Sequence, residues 1–179
     1  VATNAIAMVV DVESTVHLTR TMLPHVAAVQ LGMLSARCAG VALAPVFPPP
    51  CGVHIHHIRS VGDTSIMVGG LFDDHEPLVR DFVEFALYIR NVSVELPVRA
   101  GIAKGGLIGL PLGNGSIRYD IFGPALHAAQ NMTASCPTRK VHLTSDSLAQ
   151  VSQDEFVFED EANGVISEAK VAVFHTADG

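Results

Sequence analysis

The order of secondary-structure signals along the chain, β-α-α-β-β-α-β-β-α-β-α-β-β, predicts an α+β fold, an α/β sandwich with a mixed, mostly antiparallel sheet and helices packed on it. Three observations carry this. Turn signals at Gly62-Asp63, Asn114-Gly115 and Asn163-Gly164 each join two strand-like runs into hairpins. Helix-period segments separate the remaining strands and act as crossovers. The strict strand–helix alternation of a doubly wound sheet is absent, and there is no internal repeat.

Each element has its own reason. Residues 5–12, AIAMVVDV, form a short apolar run ending at Asp11, the pattern of a buried strand. In residues 13–40, Ser14 or Thr15 can cap a helix, and Val26, Val29, Met33 and Leu34 recur at helical spacing. Pro24 cannot sit inside one helix, so two helices or a kinked one are expected, with Gly40 as the end. VALAPVFPPPCG, 41–52, reads as a stiff linker, because three successive prolines forbid helix. Residues 53–70 form a hairpin about Gly62-Asp63. Residues 75–92 form an amphipathic helix with Leu78, Phe82, Phe85, Ala86 and Ile89 on one face.

ELPVRAGIAKGGLIGL, 95–110, is a strand that turns at Asn114-Gly115 into SIRYDIFG. Its glycines lack the Gly-Lys-Ser/Thr ending of a phosphate loop. PALHAAQNMTAS, 124–135, is a helix with Pro124 in its first turn. Then follow KVHLTS (strand), DSLAQV (short helix), EFVFEDE (strand) and AKVAVFH (strand).

Composition narrows the function. The 179 residues suit one domain, 1–179, with a substantial core. A net charge of −7 disfavours general nucleic-acid binding, and it means that any nucleotide site needs local compensation from metal ions or arginines. Cys38, Cys51 and Cys136 are odd in number, form no zinc pattern and point to a reducing, cytoplasmic setting. His54, His56 and His57 lack a third ligand nearby, so zinc is not expected. No segment reads as a signal peptide or a membrane span. Apolar residues make up 49% of the chain, and the mean hydropathy of +0.36 fits either a well-filled Ala/Val core or a large interface with another chain.

Two aspartates stand where chemistry is plausible. Asp11 ends a strand just before a helix start, where the amides of Val12, Glu13, Ser14 and Thr15 can face an anion. Asp63 is carried at a hairpin tip. If the strands are neighbours, the carboxylates converge into a site for Mg²⁺ against phosphates; otherwise they are a capping and a turn aspartate that never meet.

Four stretches in order, MVVDVESTV, IRSVGDTSIM, VRAGIAKGG and SIRYDIFGPALHAAQNM, resemble the motifs of class III nucleotide cyclases, and the DVEST start is similar to the protozoan branch. The resemblance implies a ferredoxin-like class III cyclase fold and conversion of ATP to cyclic AMP and pyrophosphate. It implies two Mg²⁺ or Mn²⁺ ions held by Asp11, Asp63 and the carbonyl of Val12. Arg59 falls where adenylate cyclases carry a base-reading lysine, and Asp120 where its partner aspartate lies. His127 stands in place of the ribose-orienting asparagine, Asn131 in place of the arginine that stabilises the reacting phosphate, and Asn163 in place of a phosphate-binding lysine. The implied unit is therefore the metal-bearing half of a homodimer or heterodimer with another cyclase-like domain, cytoplasmic or the cytosolic part of a larger, membrane-attached protein. The other reading is a degenerate homology domain serving dimerisation or nucleotide sensing.

Overall fold

Residues 5–10 are apolar at every position because the strand they form is covered on both faces. In the computed structural model, which describes residues 1–41, 54–72, 76–113 and 118–170, this strand is β1 (Ala2–Val12), at the middle of the sheet. Its even residues Ile6, Met8, Val10 and Val12 enter one core, and Ala5, Ala7 and Val9 enter another. The remaining elements are α1 (Thr15–Thr21), α2 (Pro24–Val41), β2 (His56–Val61), β3 (Thr64–Gly69), α3 (Val79–Val92), β4 (Val98–Leu112), β5 (Arg118–Phe122), α4 (Pro124–Ser135), β6 (Val141–Leu143), α5 (Ser145–Leu148), β7 (Phe156–Asp160) and β8 (Val165–Ala169). The order is the one read from the sequence.

The strands lie in the order β2-β3-β1-β4-β6-β8-β7, with β5 pairing the far half of β4. Only β4–β6 is parallel among the described pairs. The fold is therefore the mixed, mostly antiparallel α+β sheet that hairpins interleaved with crossover helices require. Helix α3 covers the first core with Phe82, Phe85, Ala86 and Ile89, joined by Leu34 and Cys38 of α2. Helix α4 covers the second with Ala125, Leu126 and Ala129.

Helix α4 is pinned in close contact with the sheet. A Cβ at Gly101 would lie 2.3 Å from both Ala129 O and Thr133 N, so only glycine admits the helix at this distance. The Thr133 hydroxyl sits 3.1 Å from Val9 O and 2.8 Å from Ala129 O, bonding the helix to β1.

Several expectations need correction. Pro24 opens α2 and so gives the two-helix alternative, but α2 runs past Gly40 to Val41. Of its expected apolar face only Leu34 is buried; Val26, Val29 and Met33 are exposed, and Ala27 and Cys38 take the inner side. Leu78 precedes α3 and is exposed, because the helix starts one residue later. His54 lies outside β2; His56 packs edge-on against Phe72, and the His57 ring bonds the Ser60 hydroxyl. The final strand follows Gly164 directly, earlier than expected. The proline linker, the Asn114-Gly115 turn and most of AKVAVFH lie outside the described residues, although Leu112 and Arg118 on either side of that turn are register partners.

Candidate active site

β3 and β4 flank β1 on its two sides, and this adjacency builds the site. The register pairs Asp11 with Arg99 on β4, and Val10 with Ser65 on β3. The tip of the β2–β3 hairpin therefore stands beside the end of β1. Gly62 takes a left-handed φ of 63°, which a tight turn allows to glycine and which carries Asp63 to the tip. The two aspartates meet through one hydroxyl: Thr64 Oγ1 lies 3.1 Å from Asp11 Oδ1 and 3.4 Å from Asp63 Oδ1. The hairpin tip and the end of β1 are therefore neighbours, each with a carboxylate beside the Thr64 hydroxyl.

Each carboxylate has a second partner. Arg99 donates from Nε and Nη2 to Asp11 Oδ2 at 3.1 and 3.0 Å, and both side chains are more than four-fifths buried. Thr15 Oγ1 donates to Asp63 Oδ2, which ties the first turn of α1 to the hairpin. Ser14 occupies the N-cap with a left-handed φ of 55° and makes no side-chain cap bond, so the β1–α1 corner is sharp. The Glu13 amide donates to Pro97 O at 3.0 Å, so it is not open to an anion as the loop sequence suggests.

The donor set suits a hard divalent cation: carboxylate and carbonyl oxygens, few in number. Among the described residues no group of three or more His, Cys, Asp or Glu gathers for a metal. An ion at Asp11 and Asp63 would complete its shell with the Val12 carbonyl, water and substrate oxygens, as Mg²⁺ commonly does.

Arg59 and Asp120 form a second cluster. Arg59 Nη1 donates to Asp120 Oδ2 at 2.8 Å, and Asp120 Oδ1 accepts the Ile121 amide at 2.9 Å. Asp120 is 4% exposed, so this ion pair is half in the core. Arg59 Nε is buried without a hydrogen-bond partner. The β2 strand lies two strand spacings from β1, about 10 Å, so the base-position pair and the carboxylate pair are distinct clusters within one chain.

His127 and Asn131 are both exposed on the outer side of α4. Asn163 closes the β7–β8 turn on Asp160, with its Nδ2 2.6 Å from Asp160 Oδ2, and these bonds hold the Asp160 carboxyl below its usual range. β8 is three strands from β1, about 14 Å, so Asn163 is not brought to the aspartates.

Two residues escaped sequence reading. Arg99 lies in VRAGIAKGG, a stretch that reads as a strand and a cyclase-like motif, and only the β1–β4 register puts it against Asp11. Thr64 reads as an ordinary strand start; its role depends on β1 lying beside β3.

Comparison with known proteins identifies the family and the fold. The family model described as the adenylate and guanylate cyclase catalytic domain matches residues 52–174, more than half of the chain, taking in Arg59, Asp63, Asp120, His127, Asn131 and Asn163. A membrane guanylyl cyclase of Dictyostelium discoideum is 25% identical over 126 residues, 65% of this chain and 8% of that protein. An adenylate cyclase of Mycobacterium bovis is 24% identical over 111 residues, 58% of this chain and 25% of that protein. The chain thus spans a small part of these relatives. A non-canonical dimeric guanylyl cyclase domain of the RhoGC fusion protein from the aquatic fungus Blastocladiella emersonii superposes with a TM-score of 0.75 at 13% identity, covering 94% of this chain and 98% of that one. The chain belongs to the adenylate and guanylate cyclase catalytic domain family.

Proposed function

We propose that the 179 residues form one cyclase domain that converts ATP to cyclic AMP and pyrophosphate at a dimer interface and contributes the metal-holding half of the site. One observation carries the proposal: Asp11 and Asp63, 52 positions apart in sequence, face a common hydroxyl on Thr64. Two Mg²⁺ or Mn²⁺ ions would be held there, with the Val12 carbonyl as a further ligand. When bound, they neutralise charge at the α-phosphate and acidify the attacking 3′-hydroxyl. Thr15 orients the Asp63 carboxylate, and Thr64 orients Asp11. The amides around Ser14 and Thr15 stand nearest the phosphates. Arg59 and Asp120 are the base-reading pair and favour adenine, whose amino group a carboxylate accepts.

A complementary chain is needed. Neither His127 nor Asn131 carries a fixed charge that could offset the reacting phosphate, and loss of one such donor costs roughly 10²–10³ in rate. Those same positions favour a second reading, a domain that binds nucleotide and dimerises without turnover.

The test is product formation from Mn²⁺-ATP, and from Mn²⁺-GTP, by the domain alone and mixed with a cyclase-like chain that has asparagine and arginine at the positions of His127 and Asn131. Cyclic AMP that disappears with Asp63→Ala supports the first reading. Nucleotide binding without product in both settings supports the second.

A further inference from the structure

Asp11 does not wait for a metal with a bare carboxylate. Two N–H groups of Arg99 converge on Asp11 Oδ2 at 3.0 and 3.1 Å, and the pair is shielded from solvent. A charge pair this buried is screened far less than a surface one. The third donor of Arg99, Nη1, points the other way, 3.4 Å from Ala134 O and 3.5 Å from Cys136 O at the end of α4. These are carbonyls that a helix C-terminus leaves without helical partners and that attract cations. Arg99 therefore stands between two acceptors, the Asp11 carboxylate and the carbonyl end of α4.

We infer that Arg99 is a built-in competitor for the metal: its guanidinium occupies Asp11 in the metal-free chain, and a divalent ion must displace it toward the carbonyls at the end of α4. The inference rests on the metal-site reading above and extends it to a residue that sets the site's affinity. The physical ground is exclusion of like charge. Arg99 holds Oδ2 and the Thr64 hydroxyl stands at Oδ1, so a divalent ion on Asp11 would sit within a few ångströms of a +1 group bound to the same carboxylate, and the repulsion between the two favours displacement of the guanidinium. The reciprocal holds as well: whatever holds Arg99 at the end of α4 raises metal affinity by the same factor. Because α4 carries positions 127 and 131, metal occupancy is then linked to the helix that bears them.

The test is direct titration with Mn²⁺, without nucleotide, by electron paramagnetic resonance on the wild-type domain, Arg99→Gln and Arg99→Lys. The expected result is binding roughly tenfold tighter in Arg99→Gln, with Arg99→Lys in between because the charge stays but the fork is lost. Wild type that binds Mn²⁺ with Arg99→Gln equal or weaker overturns the competitor role and leaves the metal site standing. Absence of binding in all three proteins overturns both. A measurement without any variant guards against loss of folding. The Arg99 Nε–H resonance of the wild-type domain should shift and exchange faster with water as Mg²⁺ is added to saturation; a resonance unmoved at saturation contradicts displacement.

Discussion

Thr64 supplies one hydroxyl proton beside two carboxylates, Asp11 at 3.1 Å and Asp63 at 3.4 Å, and that makes it the most exposed test of the site at the level of single residues. Thr64→Val keeps the shape and removes the donor, so stability should fall by about 1–2 kcal/mol, while Thr64→Ser should retain most of it; urea unfolding of the three proteins checks this. Cys38 and Cys136 give a pH prediction. Burial pushes their thiols up to about 11 and about 12, above the ordinary value of 9. The folded state therefore keeps protons that the unfolded state releases. Their contribution is complete below pH 9 and is lost as pH rises from 9 toward 11–12. Unfolding free energy should decline across that window, and both thiols should resist alkylation until denaturant is added. At this scale Asp11 and Asp63 were legible, because a strand-end aspartate and a hairpin-tip aspartate are local signals. Arg99 and Thr64 were not, because their roles exist only in the pairing of β1 with β4 and β3.

Two glycines separate the reasons an element depends on one residue. Gly101 has an ordinary backbone but no room, so Gly101→Ala should drive α4 off the sheet and cost about 2–3 kcal/mol. Gly62 has open space around its Cβ position but a positive φ, so Gly62→Ala should cost about 1 kcal/mol through strain alone. Thermal unfolding of both variants should rank Gly101→Ala as the more damaging. The order of elements was readable throughout, since turn chemistry and apolar periodicity are properties of short stretches. The inner face of α2 was not. Val26, Val29 and Met33 keep helical spacing yet point outward, and Ala27 and Cys38, small and unobtrusive in sequence, pack inward. Which stripe of a helix with apolar residues on more than one side is buried depends on the helix's tertiary partners.

For the whole molecule, two cores, one on each face of the sheet, take up the buried apolar residues. Val26, Val29 and Met33 remain exposed along α2, and Leu23 just before it. No helix among the described residues is long and apolar enough to cross a membrane. The functional account makes α4 the deficient element, so restoring its side chains should restore turnover between identical chains. The double variant His127→Asn with Asn131→Arg should raise cyclic AMP formation by roughly 10²–10³ over the wild-type domain alone, measured under Mn²⁺-ATP. An unchanged rate would mean that the limitation lies elsewhere than in that helix. The most direct measurement is anomalous scattering from crystals grown with Mn²⁺ and a non-hydrolysable ATP analogue. The account predicts manganese peaks bound by carboxylate oxygens of both Asp11 and Asp63; density for the nucleotide with no manganese at either aspartate would contradict it.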